Sequence, residues 1–151
     1  ILVGKTTDKH FAAGIDDYAS RITHYMPFEI VVIPELRNTK SLGEHQQKAA
    51  EGELILRQIQ PSDTVVLLDE HGKERRSVEY ARWLEQRSMN ARRLVFVIGG
   101  PYGFSPEVYQ RADEKLSLSL MTFSHQMVRL IFTEQLYRAC TIIKGEPYHH
   151  E

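Results

Sequence analysis

The residues of this chain that best suggest chemistry are glycines that follow a short, uncharged run. Residues 94–98 are apolar and lead directly into a loop that contains Gly99, Gly100 and Gly103. Glycine has no Cβ, so it lets a ligand approach the backbone closely and tolerates positive φ. In open parallel sheets, cofactors bind beyond the carboxyl ends of the strands. The loop therefore predicts a cofactor site, although a tight turn is the default explanation for a single glycine loop.

Two phosphate-binding motifs are excluded. Gly4-Lys5-Thr6 is similar to the end of a P-loop, but that motif needs another glycine five residues upstream, where the chain does not extend. Residues 99–103 do not match the dinucleotide fingerprint G-x-G-x-x-G either. Because the chain begins at Ile1, within a strand-like run, we expect native residues to precede it.

Histidine is the next candidate for chemistry, with seven in the chain. His125 stands between a predicted strand and the last predicted helix, and we expect it to lie near the glycine loop. A functional role for His125 has a capping or structural role as its alternative. His149 and His150 lie beside Glu151, but adjacent histidines lack the i, i+4 spacing that puts two metal ligands on one helix face. We therefore expect no metal site.

Composition limits the class of protein. With 151 residues and 42% hydrophobic content, the chain predicts one domain over residues 1–151. A net charge of −1 argues against a general nucleic-acid coat protein. Positive charge is concentrated in residues 73–93. This segment is equally consistent with a surface that faces phosphate and with a solvated helix face. The single Cys140 and the lack of a long apolar stretch predict a soluble, cytoplasmic protein.

Apolar periodicity predicts alternating strands and helices. The predicted strands cover residues 1–4, 28–33, 64–69, 94–98 and 116–120, and the predicted helices cover residues 8–25, 44–59, 77–89, 105–112 and 126–144. Residues 36–43 are expected to be mobile and residues 70–73 to form a turn. This alternation predicts an α/β fold with a mostly parallel sheet and helices on both faces. The last helix has more apolar residues than one core-facing stripe needs, which favours a homodimer.

Five segments in matching order carry a resemblance to a known family. They are residues 67–73, 95–103, 116–129, 134–139 and 145–149. With them the whole chain closely resembles the RlmH family, small SPOUT-class methyltransferases that act on large-subunit ribosomal RNA. The resemblance implies a SPOUT-type α/β fold with a C-terminal trefoil knot, a topology that periodicity alone does not reveal.

The resemblance also implies a homodimer that binds S-adenosylmethionine. By similarity, the cofactor contacts are Leu68, Gly99, Leu118, Ser119, Leu120, Met121, Thr122 and Phe123. Most of these positions are apolar or act through their backbone, which suits an adenine slot.

The reaction that the resemblance implies is methylation of N3 of the pseudouridine at position 1915, in helix 69 of 23S rRNA, on the assembled ribosome. His125, Tyr148 and His149 are the candidates for orienting the base or taking the N3 proton. A sulfonium is already a strong electrophile, so no metal is required. We hypothesise that the tail carrying Tyr148 and His149 completes the site of the other subunit.

The chain departs from the family pattern at two positions. Ser124 stands where the family often has proline, which questions the rigidity of that turn, and His150 replaces a common basic residue. Arg129 and Arg138 either contact RNA phosphate or hold carboxylates such as Glu134. The alternatives to the enzyme are a non-catalytic ribosome-binding or assembly module that keeps the knot and a dinucleotide-binding α/β enzyme, which the missing fingerprint disfavours.

Overall fold

The computed structural model describes residues 1–37 and 39–151, and in these ranges strands alternate with helices as predicted. The strands are β1 (Leu2–Val3), β2 (Val32–Ile33), β3 (Thr64–Lys73), β4 (Leu94–Val97) and β5 (Glu114–Leu116). The helices are α1 (Lys9–Ile22), α2 (Glu44–Arg57), α3 (Ser77–Asn90), α4 (Pro106–Arg111) and α5 (Met127–Lys144), with a 3-10 turn at Thr39–Ser41. The expectation of mobility for residues 36–43 includes Asn38, which lies outside the described residues.

The chain divides into two compact units, each assembled from three segments. Unit 1 comprises Ile1–Lys5, Ile30–Lys73 and Ala91–Ser117, and unit 2 comprises Thr6–Glu29, Glu74–Asn90 and Leu118–Glu151. The five strands, α2 and α4 therefore belong to unit 1, whereas α1, α3 and α5 belong to unit 2.

The strands of unit 1 are paired in parallel, as predicted. One sheet has the order β4-β3-β5, and a second pairs β1 with β2. A parallel bridge between Leu2 and Ile98 connects β1 to the end of β4. Three consecutive residues of β3, Val65, Val66 and Leu67, are fully buried, so both faces of this strand are covered.

The predicted turn at residues 70–73 is wrong, because β3 continues to Lys73. Leu116 pairs with both Leu68 and Lys73, so the intervening residues 69–72 form a bulge beside β5. A Cβ on Gly72 would lie 2.6–2.7 Å from backbone atoms of Lys115 and Leu116, which explains a glycine here.

Other boundaries also differ from the predictions. The fifth strand was predicted to begin at residue 116, but it ends there. Its pairing with β3 begins at Glu114 and reaches only to Leu116. The second strand is limited to the two residues that pair with β1. The first helix ends at Ile22, and residues 23–26 form turns: the N–H groups of His24 and Tyr25 donate to carbonyls three residues earlier, those of Arg21 and Ile22. The remaining helices begin and end within two residues of their predicted bounds.

In unit 2, α5 packs against both α1 and α3. It ends at Gly145, which has φ of 70° and ψ of 26°. The Gly145 N–H donates to the Ile142 carbonyl and the Glu146 N–H donates to the Thr141 carbonyl, the pattern of a Schellman motif. The helix stop predicted at Gly145 is therefore confirmed, and the chain turns back toward the helix that it has just left.

Candidate functional site

The carboxyl edge of the parallel sheet brings together the two predicted cofactor positions of unit 1. In the register of β3 and β4, Leu67 pairs with Val97, so Leu68 and Gly99 follow one and two residues later. Leu68 also pairs with Leu116 at the end of β5. Ser117, the last residue of unit 1, leaves this edge and leads into residues 118–123.

The glycine loop that follows β4 is closely packed on its inner side. A Cβ on Gly99 would lie 2.9 Å from the Phe104 ring, and a Cβ on Gly100 would lie 3.1 Å from an oxygen of the Glu51 carboxylate. Gly103 has φ of 81°, a left-handed conformation that favours glycine. The loop is thus a tight turn in which the first two glycines make room for neighbouring side chains.

Glu51 is a buried carboxylate next to this loop, on α2. Its residue is only 6% exposed, and its Oε1 accepts a hydrogen bond of 3.3 Å from Gln47 Nε2. Burial raises the pKa of Glu51, and the charge of Glu35 adds to the increase, whereas the Gln47 hydrogen bond opposes it. Sequence reasoning missed this residue. The available signal was a glutamate four residues before Ile55, on the apolar face of a predicted helix.

The bulge at residues 69–72 is held by Asp69. One oxygen of Asp69 accepts from the His71 N–H at 2.8 Å, and the other accepts from the Tyr109 hydroxyl. The Tyr109 ring packs edge-on against Phe104, with 5.8 Å between ring centroids. Burial, followed by the hydrogen bond to Asp69, raises the pKa of Tyr109 to about 12. Asp69 and Tyr109 therefore fix the backbone that directly follows Leu68, and sequence reasoning assigned neither of them to a site.

Residues 118–123 of unit 2 expose apolar side chains. Leu120 is 85% exposed and Met121 is 78% exposed. The Met121 N–H donates to Ser119 Oγ at 2.9 Å, which closes a short turn. Two adjacent exposed apolar side chains are typical of a surface that a ligand or partner covers.

The turn before α5 carries His125 and is fixed by Ser124. Ser124 Oγ accepts from the Met127 N–H at 3.1 Å, and its carbonyl accepts from the Val128 N–H at 3.0 Å. The hydroxyl thus caps the first turn, so the turn is held by hydrogen bonds without the family's proline. His125 itself is exposed.

Arg129 lies one turn further along α5 and is 1% exposed. Its Nη1 donates to Thr6 Oγ1 at 3.1 Å within unit 2. Of the two roles predicted for Arg129, the burial favours the intramolecular one.

The C-terminal tail folds back on α5 and brings Tyr148 and His149 together. Arg138 Nη2 donates to Glu134 Oε1 at 2.6 Å, and the Tyr148 hydroxyl donates to the same oxygen at 3.0 Å. The guanidinium also lies over the Tyr148 ring, 4.9 Å from its centroid. Burial raises the pKa of Tyr148, and hydrogen bonds with Tyr18 and Glu134 raise it further.

The other end of the Arg138 guanidinium fixes the tautomer of His149. Arg138 Nη1 lies 3.1 Å from His149 Nδ1. A guanidinium has only donors, so Nδ1 must accept and the ring proton belongs on Nε2. Nε2 lies 3.7 Å from a Glu151 carboxylate oxygen. Arg138 therefore holds a carboxylate, as one of its two predicted roles required, and also orients His149.

His125 does not join this cluster within one chain. Thirteen residues separate it from Arg138, which corresponds to roughly 20 Å along the helix axis at 1.5 Å per residue. The structure therefore brings Tyr148 and His149 together but places His125 at the other end of the helix segment.

The basic segment 73–93 is divided between the two units. Arg93 is bound to Asp63, with 2.5 Å between Nη2 and Oδ2, and donates to the Gln58 carbonyl. Arg75 lies 4.9 Å from the centroid of the Trp83 ring. Arg82 is exposed. A phosphate-facing role for the segment stays a prediction.

The described residues hold neither a metal-ion cluster nor a membrane-spanning helix. Among residues 1–37 and 39–151, no group of three or more His, Cys, Asp or Glu side chains is arranged to hold a metal ion. The helices in these same ranges include none with the length and hydropathy needed to cross a membrane.

Comparison with known proteins identifies the family. A family model described as "Predicted SPOUT methyltransferase" matches residues 1–149. A Bacteroides fragilis protein named "Ribosomal RNA large subunit methyltransferase H" is 62% identical over 152 aligned residues, which cover 100% of this chain and 97% of the relative. Proteins of the same name from Phocaeicola vulgatus and Christiangramia forsetii are 60% and 59% identical, and they cover 100% and 99% of this chain and 97% and 96% of their own lengths. The chain belongs to the SPOUT methyltransferase family.

Proposed function

We propose that this chain transfers a methyl group from S-adenosylmethionine to N3 of the pseudouridine at position 1915, in helix 69 of 23S rRNA. The observation that carries the proposal is the 62% identity, over the whole chain, to a protein named as a methyltransferase of large-subunit ribosomal RNA. We propose that the enzyme works on the assembled ribosome, in the cytoplasm, as a homodimer whose subunits contain the C-terminal trefoil knot of the family.

The chemistry of the residues present fits the cofactor. Leu68 and Gly99 supply an apolar side chain and bare backbone at the carboxyl edge of the sheet, where α/β folds bind ligands. The family resemblance assigns residues 118–123 to the same cofactor, and their exposed apolar side chains suit the faces of an adenine ring. When bound, S-adenosylmethionine supplies an electrophilic methyl group on a positively charged sulfur.

The tail residues are proposed to orient the target base. Because Arg138 occupies Nδ1 of His149, the ring proton lies on Nε2, and this buried atom can donate to a carbonyl oxygen of the pyrimidine ring once the base displaces Glu151. The Tyr148 hydroxyl is bound to Glu134, so its ring is fixed at the edge of the same cluster. These contacts hold the base so that the N3 lone pair faces the methyl group while the N3 proton leaves.

His125 is the remaining candidate for accepting the N3 proton. It is exposed and lies roughly 20 Å along α5 from the residues that hold the tail. One base cannot touch both places within one chain. A tail that acts in trans meets this requirement if the α5 helices of two symmetric subunits lie side by side and antiparallel, since the C-terminal end of one then lies beside the N-terminal end of the other.

The central experiment is methyl transfer from radiolabelled S-adenosylmethionine, with isolated large subunits compared with whole ribosomes as substrates. We expect transfer to whole ribosomes, and preference for isolated subunits would contradict the proposed substrate. Binding of the cofactor or of ribosomes without any methyl transfer would instead support the alternative of a non-catalytic ribosome-binding module.

A mixing experiment tests the action of the tail in trans. One variant lacks residues 146–151 and the other carries Gly99→Arg, which blocks the proposed cofactor edge. If the tail acts in trans, mixed dimers regain one complete site and recover activity that neither variant has alone. Absence of any recovery, with mixed dimers demonstrated by differential tagging, would contradict action in trans.

A further inference from the structure

Glu51 is a buried carboxylate to which the proposed reaction assigns no role. In the part of the chain that the structure describes, no lysine, arginine or histidine forms an ion pair with it. Its hydrogen-bond partner is the amide of Gln47, at 3.3 Å, and the charge that acts on it is that of Glu35, which is also negative. Burying a carboxylate without a cation or several donors costs stability. Carboxylates that are buried at such a cost are found at functional sites, where they contact a ligand.

The carboxylate lies at the edge where the cofactor is proposed to bind. Its Oε2 would be 3.1 Å from a Cβ on Gly100, and Gly100 directly follows Gly99. The next residue of α2, Gly52, would place a Cβ 2.4 Å from Ser105 Oγ, so the helix is closely packed against the segment that follows β4. The carboxylate is therefore fixed in place next to the glycine loop by the packing of its own helix.

We propose that the Glu51 carboxylate binds the vicinal 2′- and 3′-hydroxyls of the ribose of S-adenosylmethionine. The inference rests on the proposed function, because it assigns part of the same cofactor site. Two carboxylate oxygens can accept from two neighbouring hydroxyls, and an acidic side chain plays this role for the ribose of dinucleotides.

The order of the strands favours the ribose over the amino-acid part of the cofactor. Leu68 directly follows Leu67, the last residue of β3 that pairs with β4, whereas the loop beside Glu51 follows β4, the neighbouring strand. Neighbouring strands are about 4.8 Å apart. Ribose is bonded directly to adenine, so an adenine against Leu68 places its ribose about one strand spacing away. The α-ammonium group is separated from adenine by the ribose, the sulfur and further carbons, and it lies beyond that spacing.

The test is calorimetric binding of two probes to the full chain and two variants. S-adenosylhomocysteine has the ribose and the amino-acid part, whereas 5′-methylthioadenosine has the ribose and no ammonium. We expect Glu51→Gln to weaken the binding of both probes by a similar factor of about tenfold or more, because the diol loses a charged acceptor. The matched control is Glu53→Gln, an exposed position two residues along the same helix, which should leave both affinities unchanged.

Thermal unfolding distinguishes a binding role from a structural one. Since burial disfavours the charged form, Glu51→Gln is expected to raise the Tm of the protein freed of cofactor. A lower Tm would show that the carboxylate stabilises the fold and would overturn the inference.

The binding outcomes separate this inference from the proposed function. Weaker binding of S-adenosylhomocysteine alone would mean that Glu51 contacts the ammonium, and equal binding of both probes by Glu51→Gln and wild type would mean no contact. Either result overturns the inference and leaves the proposed function intact. If the wild-type chain binds neither probe, the proposed function fails and the inference fails with it.

Discussion

Replacing Arg138 with lysine should release the C-terminal tail while the charge is kept. Lysine has a single ammonium group and cannot bridge Glu134 and His149 as the guanidinium does. The bond to His149 contributes about 1 kcal/mol, and the contact with the Tyr148 ring contributes about 0.5–1 kcal/mol. A total loss of about 1.5–2 kcal/mol lowers the equilibrium constant for tail docking roughly 10- to 30-fold.

Carboxypeptidase digestion followed by mass spectrometry measures this docking. Release of His149 and Tyr148 requires the tail to leave α5, so its rate follows the undocked population when cleavage is slow. We expect release from Arg138→Lys to be roughly 10- to 30-fold faster, with lower kcat for methyl transfer and unchanged affinity for the cofactor. The matched control is Arg57→Lys, an exposed arginine with the same i, i+4 spacing to a glutamate. A wild-type release rate from Arg138→Lys would show that the guanidinium does not hold the tail on α5.

Three further predictions concern stability. The hydrogen bond from Arg93 lowers the pKa of Asp63 in the folded protein. The pair therefore stabilises the fold fully at pH values above the ordinary pKa of Asp, and this stabilisation is lost as the pH falls through the lowered pKa. Asp63→Asn should lower the free energy of unfolding, measured in urea at pH 7, by about 2 kcal/mol, which is less than for a fully buried pair because Arg93 is partly exposed. The variant should also lose less stability than the wild type as the pH falls below about 4. An equally steep loss of stability in acid would contradict this. Gly72→Ala places a methyl group 2.6 Å from the backbone of Leu116 and should lower Tm by about 4–8 °C, whereas an unchanged Tm would argue against the bulge. Ser124→Ala should lower the unfolding free energy by about 1 kcal/mol, and no measurable loss would exclude a capping role.

Local signals in the sequence predicted most of the elements. Asp8 precedes α1 and its side chain accepts from the N–H groups of His10 and Phe11, so the predicted helix start is confirmed. Ser105 caps α4 with proline at the first position, and Gly145 ends α5 in a left-handed conformation. These features act within one turn of the chain, which is why residue types alone predict them.

The contacts that build the candidate site are between residues far apart in the chain. The bulge of β3 depends on the pairing of Leu116 with two residues that are five apart in the sequence, and nothing in residues 69–72 alone indicates it. Glu51 looks like one more polar residue of a helix until the position of Gly100 is known. The tail cluster joins Tyr148 to Glu134 across fourteen residues. The resemblance to a family indicated the segments that hold the bulge and the tail, whereas Glu51 and the partners of those segments required the structure.

Methylation of one defined nucleotide is the direct test of the proposed function. Ribosomes that carry pseudouridine at position 1915 and ribosomes that carry uridine there are incubated with the chain and S-adenosylmethionine, and the modified nucleotide is located by mass spectrometry of 23S rRNA fragments. We expect one added methyl group at N3 of the pseudouridine, with much slower transfer to the uridine. Equal rates for the two ribosomes, or a methyl group elsewhere in the RNA, would contradict the proposed function.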